Sequence, residues 1–252
     1  MDIKQFFPEN EKPLDRLVED GGFSVIFRNI ACIGDSLSSG EFEVFEEDGK
    51  HCYDMYDFSW GQFIARATGA KVYNYSKGGM SAKTYMQEFG EERGFWNVDK
   101  YTSAYIIALG VNDLICAKQE IGTIDDIKEN YEENADTFAG WYGAVLQKYR
   151  ELAPKAKFFL MTMPRTANWE DEYKEKHAKL VYQIAEKFDN VYVMDFYKYA
   201  PVYDEDFKSK FYLTGHLNPA GYALTAKMVM SYLDYIVRHN MKDFEMLGMI
   251  GK

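Results

Sequence analysis

Short apolar stretches alternate with helix-like patterns along this chain, and that alternation constrains the fold more than any other feature. The clearest stretch is Tyr105, Ile106, Ile107, Ala108 and Leu109, apolar at consecutive positions. Successive strand residues point to opposite faces, so an unbroken apolar run describes a strand covered on both sides, as in a parallel sheet. Asn29–Ile33, Lys71–Tyr75, Lys157–Met161 and Val191–Met194 read as further strands. Between them lie helical patterns. Ile124, Ile127, Tyr131, Phe138, Tyr142, Val145 and Tyr149 recur at three-to-four spacing and predict a helix over Thr123–Leu152, opened by Thr123 and Asp126 in a capping-box relation. A second helix is expected over about Trp169–Phe188. A last one starts at Asn218-Pro219, a cap residue followed by a proline where its missing N–H costs nothing. Its apolar face is Ala226, Val229, Met230, Leu233, Ile236 and Val237. Strands alternating with helices imply βαβ crossovers and an α/β fold with a parallel sheet. At 252 residues the chain suits one such domain, residues 23–252, preceded by a polar arm over 1–22 that carries Pro8 and Pro13 and ends at Gly21-Gly22.

Composition removes several classes of function. A formal net charge of −11 disfavours nucleic acid, whose phosphates need a clustered basic surface, and anionic membranes for the same reason. Cys32, Cys52 and Cys116 are too few and too scattered for a zinc knuckle or a disulfide framework. The N-terminal stretch is charged throughout, without an apolar leader core, and no apolar run is long enough to span a bilayer. The expectation is a soluble, cytoplasmic protein. No phosphate loop, dinucleotide fingerprint or HExxH motif occurs, so neither cofactor nor metal is expected.

In a parallel sheet the ligand site lies outside the carboxyl ends of the strands. Three short segments fall there and a fourth precedes the last helix. Gly34-Asp35-Ser36-Leu37 follows the first strand, with a hydroxyl on a tight turn. Asn74 to Ser81 follows the second and contains Gly78-Gly79. Gly110-Val111-Asn112-Asp113 follows the third and supplies a side-chain amide. His216 stands in the loop before Asn218-Pro219. Singly, each has an ordinary structural explanation as a cap, turn or loop residue. Together they supply a nucleophile, a base and donors for a developing oxyanion, which are the parts needed for acyl transfer.

In these blocks the sequence resembles the SGNH/GDSL hydrolase family. The segment around Ser36 matches the nucleophile block, Gly79 the glycine block, and Asn112 the asparagine block. His216 with Asn218-Pro219 and Gly221-Tyr222 matches the histidine block, and all four stand in family order between residues 34 and 222. The resemblance implies a three-layer α/β/α, flavodoxin-like fold with a five-stranded parallel sheet. It also implies Ser36 as nucleophile, His216 as base, and an oxyanion hole from the Ser36 and Gly79 N–H groups and the Asn112 side chain. The expected substrate is a small-molecule ester with a short acyl group, by family analogy acetyl on a carbohydrate. A noncatalytic binding protein on the same fold and an acyltransferase are the alternatives.

One position departs from the family. An Asp usually stands three residues before the histidine, and Leu213 is there instead. Another carboxylate orients the imidazole, or a backbone carbonyl does so in a Ser–His dyad, or catalysis has been lost. Asp195, at the end of the fifth strand, is the favoured carboxylate, with Glu41 as the other candidate. The segment Phe42–Phe58, rich in aromatic residues, is a candidate wall for the substrate pocket or a packed surface loop.

Overall fold

Apolar side chains at odd and even strand positions are buried in two separate cores, one on each face of a five-stranded sheet. The computed structural model describes residues 7, 8 and 10–245. Seven strands occur there: β1 (Asn29–Gly34), β2 (Glu41–Glu46), β3 (Gly49–Asp54), β4 (Lys71–Ser76), β5 (Ala104–Ala108), β6 (Lys157–Met161) and β7 (Val191–Met194). The main sheet has the order β4-β1-β5-β6-β7, with every pairing parallel. Counted along the chain this is 2-1-3-4-5, the flavodoxin-like order. On one face Ala31, Ile33, Tyr105, Ile107, Phe158 and Leu160 pack against α2 (Phe138–Leu152) and α3 (Asp171–Lys187). On the other, Ile30, Cys32, Ala104, Ile106 and Phe159 pack against α1 (Trp60–Thr68) and α4 (Pro219–His239). These two layers of helices make the three-layer α/β/α architecture.

The last helix begins as its sequence predicts. Asn218 Oδ1 accepts from the Gly221 N–H at 2.9 Å and Pro219 is the first helical residue. The long helix expected from Thr123 does not form over its first half. Thr123 and Asp126 do make the reciprocal cap, but it opens only a three-residue turn, Ile124–Asp126. Helix α2 starts at Phe138, capped by Thr137. Asn side chains explain the difference by bonding backbone groups that a helix would need: Asn130 Oδ1 accepts from Glu132 N–H, and Asn134 Oδ1 accepts from Lys128 N–H.

Most of the segment Phe42–Phe58 belongs to a β-hairpin, followed by a short turn at Tyr56–Phe58. Strands β2 and β3 pair antiparallel from Glu41↔Asp54 to Glu46↔Gly49 and form a sheet of their own. Of the N-terminal arm, the described part lies along α4. Val18 N–H donates to Ser231 Oγ, and Glu11 pairs with Arg238, which also holds Asp234. Residues 1–6, 9 and 246–252 lie outside the described residues.

Candidate active site

The register brings three strand ends level. Gly34 stands beside Ser76 on one side and Ala108 on the other, at the point where the strand order reverses. Such a switch point leaves a crevice at the carboxyl edge. Just beyond it, Asp35 caps a single helical turn, Ser36–Ser39, by accepting from the Leu37 N–H at 3.1 Å. Ser36 is the first residue of that turn, half-buried. Asn112 Nδ2 donates to the Met80 carbonyl at 3.2 Å and faces Asp35 Oδ2 at 3.5 Å, the outer limit of a hydrogen bond. Asp113, fully buried, accepts from the Ala82 N–H at 2.8 Å. These contacts tie together the segments that carry Ser36, Gly79 and Asn112. Gly79 has φ +73°, a left-handed conformation that glycine adopts without a Cβ penalty.

His216 reaches this crevice from a loop closed by the Tyr212–Leu217 bridge and by the Leu213 N–H, which donates to the His216 carbonyl at 2.7 Å. Its ring stands between two carboxylates of the hairpin. Nε2 is 3.4 Å from Glu41 Oε1, and Nδ1 is 3.3 Å from Glu43 Oε2. Glu41 also lies against the glycine block, where a Cβ on Gly78 would come within 2.0 Å of Glu41 Oε2. The hairpin is anchored from the same region of chain. Tyr222 OH donates to the Glu41 carbonyl, and Thr214 Oγ1 to the Glu43 carbonyl. Thus the segments that carry Ser36, Gly79 and Asn112 are joined directly, and His216 is linked to the glycine block through Glu41, which its Nε2 faces; His216 is not hydrogen-bonded to Ser36 in this arrangement.

Asp195 does not join them. It caps the turn Phe196–Tyr199 through the Lys198 N–H and accepts from Thr162 Oγ1 and Tyr182 OH. Its strand, β7, is the sheet edge, three strands from β1. That separation is about 14 Å at the usual strand spacing. The carboxylates beside His216 are therefore Glu41, the second sequence candidate, and Glu43, which sequence reasoning missed.

Below the Ser36 turn lies a small apolar cavity of about 70 Å³, lined among others by Leu37, Ala108, Met163, Phe196 and Leu217. The aromatic residues of the hairpin do not line it. Burial pushes the Asp35 carboxyl up to about 7 against the pull of the Leu37 N–H, with the negative charges of Asp113 and Glu41 adding to the rise. Asp113 is raised to about 6, again mainly by burial. An acid whose folded pKa lies above its ordinary 3.8 contributes stability below that value and loses it as pH rises through about 7. Asp35→Asn keeps a cap acceptor for Leu37 and removes the buried charge. It is expected to raise the thermal midpoint by several degrees at about pH 8 and to change it little at about pH 3.5. Thermal melts at the two pH values check this.

Among the described residues, Glu46, Asp48 and His51 form the one group with ligand atoms close enough to share a metal ion; they lie at the exposed hairpin end. No helix of the described residues is long and apolar enough to cross a membrane.

A sequence profile described as the GDSL-like lipase/acylhydrolase family matches residues 32–224. No curated protein matches the chain. Among solved structures, a family two carbohydrate esterase from Clostridium thermocellum, in complex with cellohexaose, is 16% identical with a TM-score of 0.59 over 86% of this chain and 65% of that one. A putative lipolytic protein of the G-D-S-L family from Desulfitobacterium hafniense is 16% identical, with a TM-score of 0.53 over 81% of this chain and 99% of that one. TesA is 14% identical, with a TM-score of 0.54 over 82% and 99%. At such identities these likenesses establish the shared fold.

Proposed function

The chain belongs to the GDSL-like lipase/acylhydrolase family, a family of ester hydrolases, and from that premise we propose that it cleaves short-chain carboxylic esters through an acyl-enzyme on Ser36. The observation that supports this reading is that the Ser36 turn, the Gly78-Gly79 turn and Asn112 are tied together at the strand ends where the order reverses, with Glu41 linking the glycine block to His216. Ser36 Oγ attacks the ester carbonyl while His216 Nε2 takes its proton. The oxyanion is received by the backbone N–H groups of Ser36 and Gly79 and by Asn112 Nδ2, whose bond toward Asp35 is long enough to be given up. The alcohol leaves with the proton from His216, and water, activated by the same imidazole, releases the acid.

The cavity supports a short acyl group. It is apolar and lined by Asp35, Leu37 and Ser38, the neighbours of Ser36, which suits a small acyl group held beside the turn. The likeness to a carbohydrate esterase favours esters borne on a carbohydrate as the natural substrates. Among p-nitrophenyl esters, kcat/KM is expected to be highest for acetyl or propionyl and to fall steeply by octanoyl. A preference for octanoyl would overturn the short-chain assignment. Leu213 motivates the noncatalytic alternative, but two carboxylates beside His216 weigh against it.

A further inference from the structure

We infer that Glu43, carried by the β2–β3 hairpin, is the carboxylate that orients His216 through Nδ1, in place of the acid missing at Leu213. The inference rests on the proposed roles of Ser36 and His216. A base that takes a proton on Nε2 must keep Nε2 toward the nucleophile and be held from its other nitrogen. Glu41 stands on the Nε2 side and cannot do the holding; Glu43 stands on the Nδ1 side.

A backbone carbonyl does not fill the role either. Nδ1 is buried and has no hydrogen-bond partner among the described residues. Its contact with Glu43 Oε2, at 3.3 Å, has the distance of an ion pair without hydrogen-bond alignment. A buried donor left in that state is costly, and a small rotation of either side chain would relieve it.

The surroundings of Glu43 suit the task. Its side chain is 10% exposed, its Oε2 accepts from Lys50 Nζ at 3.1 Å, and Thr214 fixes its backbone carbonyl at 3.1 Å. Gly215 admits the carboxylate closely, since a Cβ there would lie 3.0 Å from Oε2. Burial raises the Glu43 carboxyl, but hydrogen bonding from Lys50 and Thr214 and the charges of Lys50 and His216 outweigh it and hold the group below its ordinary value. The charged groups facing the imidazole are thus Glu41 on one nitrogen and Glu43 on the other, with Lys50 behind Glu43. As the Ser36 proton arrives on Nε2, the ring becomes an imidazolium, and Glu43 accepts the Nδ1–H and offsets the new charge. Lys50 sits on the same oxygen and limits how strongly that oxygen serves His216.

The test is imidazole NMR on 15N-histidine protein, with His216 assigned from His216→Gln, beside steady-state kinetics on an acetyl ester. Glu43→Gln is expected to move the Nδ1–H resonance of His216 upfield or abolish it, while Glu41→Gln leaves it in place. In the same variant kcat should fall on the order of 10–100-fold with KM unchanged, less than the roughly 10⁴-fold cost of losing a fully buried triad acid. An Nδ1–H indifferent to Glu43→Gln overturns the proposal. So does a kcat loss confined to Glu41→Gln. Should Glu43→Gln fail to fold, Lys50→Met decides: removing the competing donor on Glu43 Oε2 must move the His216 Nδ1–H downfield, and an unmoved resonance overturns the proposal. The NMR result is read without ester. An inactive protein with a Glu43-dependent Nδ1–H would therefore count against the esterase reading alone, and an active one with an indifferent Nδ1–H against Glu43 alone.

Discussion

Ser36→Ala is expected to lower kcat on short esters by roughly 10⁶-fold, the size of loss seen when a hydrolase nucleophile that acts as a unit with its base is removed. The fold should not follow. Ser36 opens its helical turn through backbone bonds: its carbonyl accepts from Ser39 Oγ and the Gly40 N–H, and the cap is made by Asp35. Losing the hydroxyl therefore removes the reacting atom and leaves these bonds in place. Far-UV circular dichroism and the thermal midpoint should match the parent protein. Turnover at the parental rate in a pure sample would take Ser36 out of the mechanism.

Asn112→Ala is expected to lower kcat by about 10²–10³-fold with little change in KM, as for one oxyanion donor lost from a water-poor site. The amide is placed for that role by its neighbours. One contact, to the Met80 carbonyl, fixes it beside the glycine block, and the other, toward Asp35, points it at the Ser36 turn. The turn that carries it is held independently, by the Leu114 N–H donating to Gly110 and the Ala117 N–H to Asn112, both through main-chain atoms. A rise in KM with kcat unchanged would mean that Asn112 binds the ground state, and would remove it from the oxyanion hole.

The central sheet was legible because burial on both faces leaves so plain a trace. Tyr105 and Ile107 enter one core, Ala104 and Ile106 the other, and no polar residue interrupts them. Strand ends then located three of the four site segments, since the crevice of a parallel sheet follows from its topology. The first half of the helix expected from Thr123 failed for a local reason. Its apolar spacing continues through Tyr131, but Asn130 and Asn134 turn their side chains back on the backbone and interrupt the helical bonds. The choice of Asp195 used strand-end position without strand order, and β7 is too far across the sheet.

The hairpin was the larger omission, and its signal was present. Gly49, next to the Glu47-Asp48 loop, marks a turn, and Glu41, Phe42, Glu43 and Val44 alternate with the period of a strand. That period puts Glu41 and Glu43 on one face. Read this way, the segment offers two carboxylates in step, directly after the nucleophile turn, in a chain whose usual acid position holds Leu213. What no pattern could supply is the long-range packing, Thr214 and Tyr222 on the hairpin backbone, that brings this face onto His216.

A nucleophile at Ser36 activated by His216 is open to covalent trapping. A serine-directed fluorophosphonate, followed by peptide mass spectrometry, is expected to modify Ser36 stoichiometrically in the parent protein and far more slowly in His216→Ala, with Ser36→Ala unmodified. A parent protein that carries no adduct on Ser36, or that is labelled equally fast without His216, would exclude a Ser36 nucleophile activated by His216.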